Sequence, residues 1–234
     1  MRLVLTDTTW QAVALSRDLG GHGFRVSSAD SADALMAHVA TGRPDAVLLA
    51  GDLAEMPLPV ALRAVRRQAP LCPVVVLATV RPKALSALYA AGADAVLPSG
   101  IAPEELAARL RAMVLRCAGH AAPILDVGPV AIDLAARRVT VHGRTVQLRR
   151  AEFDLLEALV LARGAPLSRD AALDKLYGLE EAPCPQIVTV YASQIRRKLQ
   201  AAGAPAGLLR CLSGRGYVFD GAGVRAPMDE ARAA

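Results

Sequence analysis

The first 116 residues alternate five times between a short apolar run and a segment with helical periodicity, a pattern that few folds accommodate. The apolar runs predict strands at residues 2–6, 24–28, 46–50, 74–78 and 95–97. The segments after them predict helices at residues 9–19, 32–40, 59–68, 82–91 and 103–116. This alternation predicts an α/β fold, in which a five-stranded doubly wound parallel sheet carries its sites at the carboxyl ends of the strands.

The chain of 234 residues is long enough for two domains, each with its own core. We predict a first domain at residues 1–116, a linker of small residues at 117–123, a second domain at 124–220 and a disordered tail at 221–234. The net charge of +5 is spread over both halves, so any nucleic-acid binding must come from a local patch. Aromatic residues make up only 3% of the chain, which excludes a platform for stacking single-stranded bases.

The cysteines are too far apart for a zinc site or a disulfide framework, and no histidines cluster near them. They are Cys72, Cys117, Cys184 and Cys211. We therefore expect no metal and no cofactor. The N-terminal segment lacks the apolar run of a signal peptide, and no segment has 18 uninterrupted apolar residues, so we expect a cytoplasmic protein.

Four segments of the first half resemble, in register, the receiver domain of two-component response regulators. They are MRLVLTDTTW, RPDAVLLAGDL, CPVVVLAT and AGADAVLPSG. In that family the first strand ends in an acidic pair that holds Mg²⁺, and the third strand ends in the aspartate that accepts phosphate. The fourth strand ends in a Ser or Thr and the fifth in a Lys. The chemistry requires this set, because a carboxylate attacks phosphorus only where cations neutralise the developing charge.

The chain departs from this pattern at nearly every position of the family's site. Asp7 keeps one carboxylate of the acidic pair, with Thr8 beside it, and Ala50 stands at the phosphoacceptor position. Ala78 replaces the hydroxyl residue and Ser99 replaces the lysine. A methyl group cannot accept a phosphoryl group, so we predict a degenerate receiver that keeps the fold and does not depend on phosphorylation.

Two alternatives concern the remaining carboxylates of this site. Asp52, two residues after Ala50, is a displaced phosphoacceptor in the first alternative, although the second Mg²⁺ carboxylate and the lysine are missing. In the second, Asp7 is only a charge near the start of the first helix, which Thr8 or Thr9 caps.

The resemblance also implies that two receivers pair around a two-fold axis through the fourth helix, fifth strand and fifth helix. That surface carries both signs of charge, as a self-complementary interface requires. Its charged residues are Arg81, Lys83, Asp94, Glu104, Glu105, Arg109 and Arg111. We therefore predict a homodimer; the alternative is a solvated surface.

The second half begins with four short β-prone runs and continues with helical segments. The runs are residues 124–127, 130–134, 139–141 and 145–148, and they predict a small antiparallel sheet. Helices follow at 151–162 and 168–176, the second with Ser168 as its N-cap. A third helix is predicted at 186–199, and two β-prone runs then flank a hairpin with Arg215 at its tip.

The predicted helix at 186–199 is amphipathic. On a helical wheel one apolar line consists of Val188, Ala192, Ile195 and Leu199, and polar side chains spread over the opposite face. One side therefore packs against the domain and the other meets a partner. A cationic helix beside a cationic hairpin suits a DNA groove and its phosphates; the alternative is a solvated helix and an ordinary turn.

Four segments of the second half resemble the winged-helix effector domain of the OmpR/PhoB-type response regulators. They are AEFDLLEAL, PLSRDAALDKLYG, VTVYASQIRRKL and SGRGYVF, and the resemblance covers about residues 124–220. The segment LYGLEEAPCPQIV is also similar to the cell-cycle regulators of alphaproteobacteria. The resemblance implies an α+β winged-helix domain after the receiver-like domain, and a non-enzymatic transcription regulator without catalytic residues.

The resemblance implies roles for particular side chains in binding double-stranded DNA. It directs Thr189, Ser193, Gln194 and Arg197 to base edges in the major groove. Nearer the sugar-phosphate backbone it places Tyr191, Arg196 and Lys198, with Arg215 on the wing at the adjacent minor groove. Arg149 and Arg150, which begin the first effector helix, are expected to add a phosphate contact.

The loop before the predicted DNA-reading helix is where the family contacts RNA polymerase. Glu180 and Glu181 in this loop are the expected contacts with a basic surface of the polymerase. The sequence therefore predicts a dimeric, sequence-specific DNA-binding transcription regulator. The alternatives are a regulator phosphorylated on Asp52, and an adaptor whose winged helix contacts protein instead of DNA.

Overall fold

The computed structural model describes residues 1–6, 10–50, 56–178, 184 and 186–220. The chain separates into two compact units. Among the described residues, the first contains Met1–Ala121, and the second contains Ala122–Leu176 and the described part of residues 184–220. Within the part of the chain that the structure describes, no helix is long and apolar enough to cross a membrane.

The first unit is a five-stranded parallel sheet with helices on its faces, as predicted. Its strands are β1 (Arg2–Thr6), β2 (Arg25–Ala29), β3 (Ala46–Ala50), β4 (Val74–Leu77) and β5 (Ala95–Leu97), in the order β2-β1-β3-β4-β5. Its helices are α1 (Trp10–Gly21), α2 (Ala32–Gly42), α3 (Leu58–Gln68), α4 (Pro82–Ala91) and α5 (Pro103–Cys117). The predicted bounds of these elements differ from the observed ones by at most two residues.

Burial on both faces explains why the strands of this sheet read as continuous apolar runs. All five residues of β1 and all four of β4 are buried.

Nearby residues determine where the helices begin. The Ser31 hydroxyl accepts a hydrogen bond of 3.2 Å from the Ala34 amide at the start of α2. Pro82 and Pro103 begin α4 and α5, where a missing N–H group costs nothing.

The second unit has the predicted order of four strands, three helices and a hairpin. A four-stranded antiparallel sheet contains β6 (Ile124–Val127), β7 (Val130–Asp133), β8 (Arg138–Val141) and β9 (Arg144–Val146). The helices are α6 (Arg150–Leu161), α7 (Arg169–Leu176) and α8 (Ile187–Ala201), and the hairpin pairs β10 (Leu209–Leu212) with β11 (Gly216–Phe219). The Ser168 hydroxyl accepts from the Ala171 amide at 3.1 Å, which confirms the predicted cap of α7. This architecture is the α+β winged-helix fold.

A buried carboxylate joins α6 to α8 inside the second unit. The Glu152 side chain on α6 is only 1% exposed. Its Oε2 atom accepts hydrogen bonds from the Arg149 amide at 2.7 Å and from the Lys198 ammonium on α8 at 2.6 Å. One oxygen therefore accepts the hydrogen bond of the N-cap amide of α6 and compensates the charge of a cation on α8. This shared contact fixes the two helices against each other.

We expect Glu152→Ala to destabilise the second unit by about 2–4 kcal/mol, because it leaves the Lys198 cation without a partner in a mostly buried place. Urea-dependent hydrogen exchange of the α8 amides in the full-length chain measures this loss. The control is Asp18→Ala, since Asp18 is exposed on α1. Unchanged protection of α8 in Glu152→Ala would show that the buried pair contributes no stability.

Candidate nucleic-acid interface

Helix α8 presents one apolar face to its own unit and one polar face to solvent. Its inward line is Val188, Ala192, Ile195 and Leu199, each at most 2% exposed, and α8 packs on α6 and α7. This confirms the helical-wheel prediction. The outward residues are Thr189, Val190, Ser193, Arg197 and Gln200.

Two of the predicted base-reading side chains form one hydrogen-bonded group. The Arg197 guanidinium donates to the Gln194 side-chain oxygen at 3.2 Å across one turn of α8. Ser193, which immediately precedes Gln194 in sequence, is also exposed. Because Arg197 is itself exposed, its other donors face solvent, where a guanine edge or a phosphate can accept them.

Val190 is a surface residue that the sequence analysis did not select. Its side chain is 45% exposed in the second turn of α8, on the outward face. An exposed branched apolar residue among polar ones suits contact with a thymine methyl group in a major groove. The signal was present in the helical wheel, because Val190 lies off the apolar line of the helix.

Three of the predicted contact residues make hydrogen bonds within the second unit. Arg196 donates through Nε to the Leu209 carbonyl on β10 at 3.0 Å. The Thr189 hydroxyl shares a hydrogen bond of 2.8 Å with the Tyr217 hydroxyl on β11. Lys198 is paired with Glu152, and the ammonium points into the unit. These side chains hold α8 against the hairpin and α6, and Lys198 is removed from the expected phosphate contacts.

The hairpin presents Arg215 in an exposed turn of three residues between β10 and β11. Gly214 and Gly216 have φ angles of +69° and +104°, which a side chain would strain. At Gly216 the backbone of Leu167 also approaches so closely that a Cβ atom would lie 2.0 Å from its carbonyl oxygen. Leu167 and Tyr217 exchange two backbone hydrogen bonds of 2.8 Å, so the hairpin is anchored on its second edge.

The start of α6 lies beside the end of α8. Arg149 is the N-cap residue of α6 and Arg150 is its first residue, and both are exposed. The Arg149 amide and the Lys198 ammonium meet at the same Glu152 oxygen. The structure therefore brings Arg149 close to the C-terminal turns of α8. Tyr191, the remaining predicted backbone contact, is half-buried.

The carboxyl ends of the parallel strands form the edge at which the family's phosphorylation site would lie. Ala50 ends β3, and its amide donates to the Thr6 hydroxyl at the end of β1 at 3.2 Å. Ala78 follows β4 and Ser99 is exposed two residues after β5. The structure thus brings Ala50, Ala78 and Ser99 to one edge. Asp7, Thr8 and Asp52 lie outside the described residues.

The seven residues predicted for a dimer interface divide into two groups. Arg81, Lys83 and Glu104 are exposed on α4 and α5, and Glu105 pairs with Arg109 on α5 at 2.6 Å.

Asp94 and Arg111 are engaged within the first unit. Asp94 forms an ion pair with Arg66 and accepts from the Val74 amide at 2.6 Å. Arg111 donates to the His22 carbonyl at 2.7 Å and lies 5.3 Å from the centre of the Phe24 ring. These contacts direct Arg111 toward the end of α1, away from α4. Glu180 and Glu181, the expected polymerase contacts, lie outside the described residues.

Comparison with known proteins gives matches to both halves of the chain. Residues 143–219 match the family model described as "Transcriptional regulatory protein, C terminal". The chain is 34% identical over 229 residues to the transcriptional regulatory protein PrrA of Mycobacterium tuberculosis, with 93% of this chain and 94% of PrrA covered. It is also 34% identical over 131 residues to the cell cycle transcriptional regulator CtrA of Caulobacter vibrioides, with 56% and 57% covered.

Among solved structures, the response regulator DrrB of Thermotoga maritima, an OmpR/PhoB homolog, matches 94% of this chain and 99% of its own. The sequence identity is 22% and the TM-score is 0.44. The family assignment depends instead on the near full-length similarity to PrrA and on the C-terminal family model. On that evidence, this chain belongs to the OmpR/PhoB-type response regulators, transcriptional regulators with a receiver domain and a C-terminal DNA-binding domain.

Proposed function

We propose that this transcriptional regulator reads specific duplex DNA with the outward face of α8, as a dimer and without phosphorylation. The observation that carries the proposal is the set of exposed side chains on α8, next to an exposed arginine at the tip of the wing. These are Val190, Ser193, Arg197 and Arg215. An α-helix of this kind fits the major groove, and a hairpin beside it reaches the flanking backbone.

Base recognition is assigned to the middle of α8. The Arg197 guanidinium can bind guanine through two hydrogen bonds, and the Gln194 amide can bind adenine in the same way. Their mutual hydrogen bond of 3.2 Å orients both groups before DNA arrives. Val190 contributes a methyl contact to thymine, and Ser193 contacts either base type. The preferred site therefore combines A·T and G·C pairs.

Contacts with the sugar-phosphate backbone are assigned to the edges of the same surface. Arg215 reaches the minor groove or its phosphates, and Arg149, Arg150 and Tyr191 reach phosphates beside α8. Thr189 and Arg196 act as positioning residues, because their hydrogen bonds to Tyr217 and Leu209 fix the angle between helix and wing. Since few cations remain for phosphates, the dependence of affinity on salt should be modest.

The receiver-like unit acts as a dimerisation module in this proposal. The Ala50 methyl group at the end of β3 supports independence from phosphorylation, because it offers no oxygen to a phosphoryl group. The dimer surface consists of Arg81 and Lys83 on α4 with Glu104 and the Glu105–Arg109 pair on α5. Around a two-fold axis the cations of one copy face the carboxylates of the other. We further propose that Glu180 and Glu181 contact RNA polymerase.

We expect Arg197→Ala to lower the affinity for a duplex selected from a random library by about 10- to 100-fold, through the loss of a bidentate base contact. The matched control is Gln200→Ala, which removes an exposed polar side chain one turn further along α8. Fluorescence anisotropy at fixed salt measures both. If Arg197→Ala binds the selected duplex as tightly as the unchanged chain does, the adaptor alternative is favoured.

Incubation of the full-length chain with acetyl phosphate and Mg²⁺ should give no stable phosphoryl adduct by intact mass spectrometry, because β3 ends in a methyl group. The comparison variant is Ala50→Asp, which introduces the family's phosphoacceptor at the end of β3. Its mass after the same incubation shows whether an aspartate at this position accepts a phosphoryl group. A stable adduct that disappears in Asp52→Ala would establish Asp52 as a displaced acceptor and contradict phosphorylation independence.

Sedimentation equilibrium of the full-length chain should give the mass of a dimer. Arg81→Glu should shift the equilibrium toward monomer by at least about tenfold, because it places like charges across the two-fold axis. Arg17→Glu makes the same charge change on the exposed surface of α1 and should leave the mass unchanged. Dimerisation depends on the concentration of the chain. A monomeric mass for the unaltered chain at about tens of micromolar would refute the dimer.

A further inference from the structure

An arginine-lined cleft lies on the first unit, on the outer side of α3 and away from the strand edge that the receiver family uses. It has a volume of about 330 Å³. Its lining residues are Val60, Arg63, Arg66, Arg67 and Ala91. Four of them belong to α3, and Ala91 is the last residue of α4.

One of the three arginines is part of the wall of the cleft. The Arg66 guanidinium donates to the carbonyl oxygens of Gly92 at 2.8 Å, Cys72 at 2.6 Å and Pro70 at 3.2 Å. It also forms an ion pair with Asp94. Gly92 has a φ angle of +113°, and a Cβ atom there would lie 2.6 Å from the Arg66 side chain. Arg66 is therefore rigid and its charge is compensated.

The other two arginines differ from Arg66 in their exposure and in the compensation of their charge. Arg63 and Arg67 are exposed and lie four residues apart, so their side chains emerge on the same side of α3. No carboxylate of the described residues lies within ion-pair distance of either one. Neither α3 nor α4 contains an acidic residue. Two like charges at this spacing repel, and an anion between them would remove that repulsion.

We propose that the α3 cleft binds a small organic anion, in which a phosphate or carboxylate group is attached to an apolar part. The guanidinium groups of Arg63 and Arg67 bind the anionic group, since each offers two parallel donors. Val60, which is 41% exposed, and Ala91 contact the apolar part. The volume lies at the lower end of the range of small-molecule sites, about 300–1,000 Å³.

The binding site is independent of the proposed DNA interface, because all of its residues lie in the first unit. It is also independent of phosphorylation, because it lies on α3 and α4 and not at the carboxyl ends of the strands. A ligand in this cleft would contact α3 and the end of α4 together. The test therefore uses no DNA and no phosphodonor, and its failure would leave the proposed function untouched.

The experiment titrates the ¹⁵N-labelled full-length chain with phenyl phosphate, benzoate and benzyl alcohol and follows the backbone amides by NMR. Phenyl phosphate and benzoate distinguish a phosphate site from a carboxylate site, and benzyl alcohol has no charge. We expect saturable shifts at residues 60–68 and 91–92 with at least one anion and none with benzyl alcohol. Absence of saturable shifts with both anions, or equal shifts with the neutral compound, would overturn the proposal.

Variants assign the binding to the arginines. The double substitution Arg63→Gln with Arg67→Gln should weaken binding at least about tenfold, because both charged donors are lost. Val60→Asp keeps both arginines and should have the same effect, since its carboxylate competes for them. Arg17→Gln removes an exposed arginine from α1 and should bind normally. Undiminished binding by the double variant or by Val60→Asp would overturn the proposal.

Discussion

The outward face of α8 depends on the contacts that fix the position of this helix within its unit. Four apolar residues in one line anchor the helix, but apolar contact alone does not fix its rotation or its angle to the wing. Polar contacts at three places do so: Glu152 with Lys198, Arg196 with the Leu209 carbonyl, and Thr189 with Tyr217. Because these contacts are directional, they determine which side chains of α8 face outward.

In the receiver-like unit, the residues that stabilise the sheet differ from those at the positions of the family's phosphorylation site. Its sheet is stable because strands such as β1 and β4 are buried on both faces. The family's reaction requires oxygen atoms only at the strand ends. At the end of β3 the amide of Ala50 donates to the Thr6 hydroxyl, so the strands remain connected there without an aspartate. An alanine at the end of β3 is therefore compatible with an intact sheet.

The sequence was sufficient to predict the strands and helices. It was insufficient to predict the contacts that the long side chains make. Strands and helices were predicted because their periodicity is local, and the buried face of α8 followed from the same rule. The inward contacts of Arg196 and Lys198 depend on Leu209 and Glu152, which are distant in sequence, so no local pattern could reveal them. Asp94 and Arg111 were assigned to a surface for the same reason. Val190 was missed because only polar side chains of α8 were considered as contacts, although the residue lies off the apolar line.

The arginines of this chain differ in whether their charge is compensated within their own unit. Arg66, Arg137 and Arg210 each form an ion pair with an aspartate of their own unit, so binding an external anion would first require breaking that pair. Arg63, Arg67 and Arg215 are exposed, and among the described residues no ion pair holds any of them. A net charge of +5 on 234 residues exerts little attraction at a distance when salt screens it. Electrostatic attraction by the exposed guanidinium groups therefore acts only at short range.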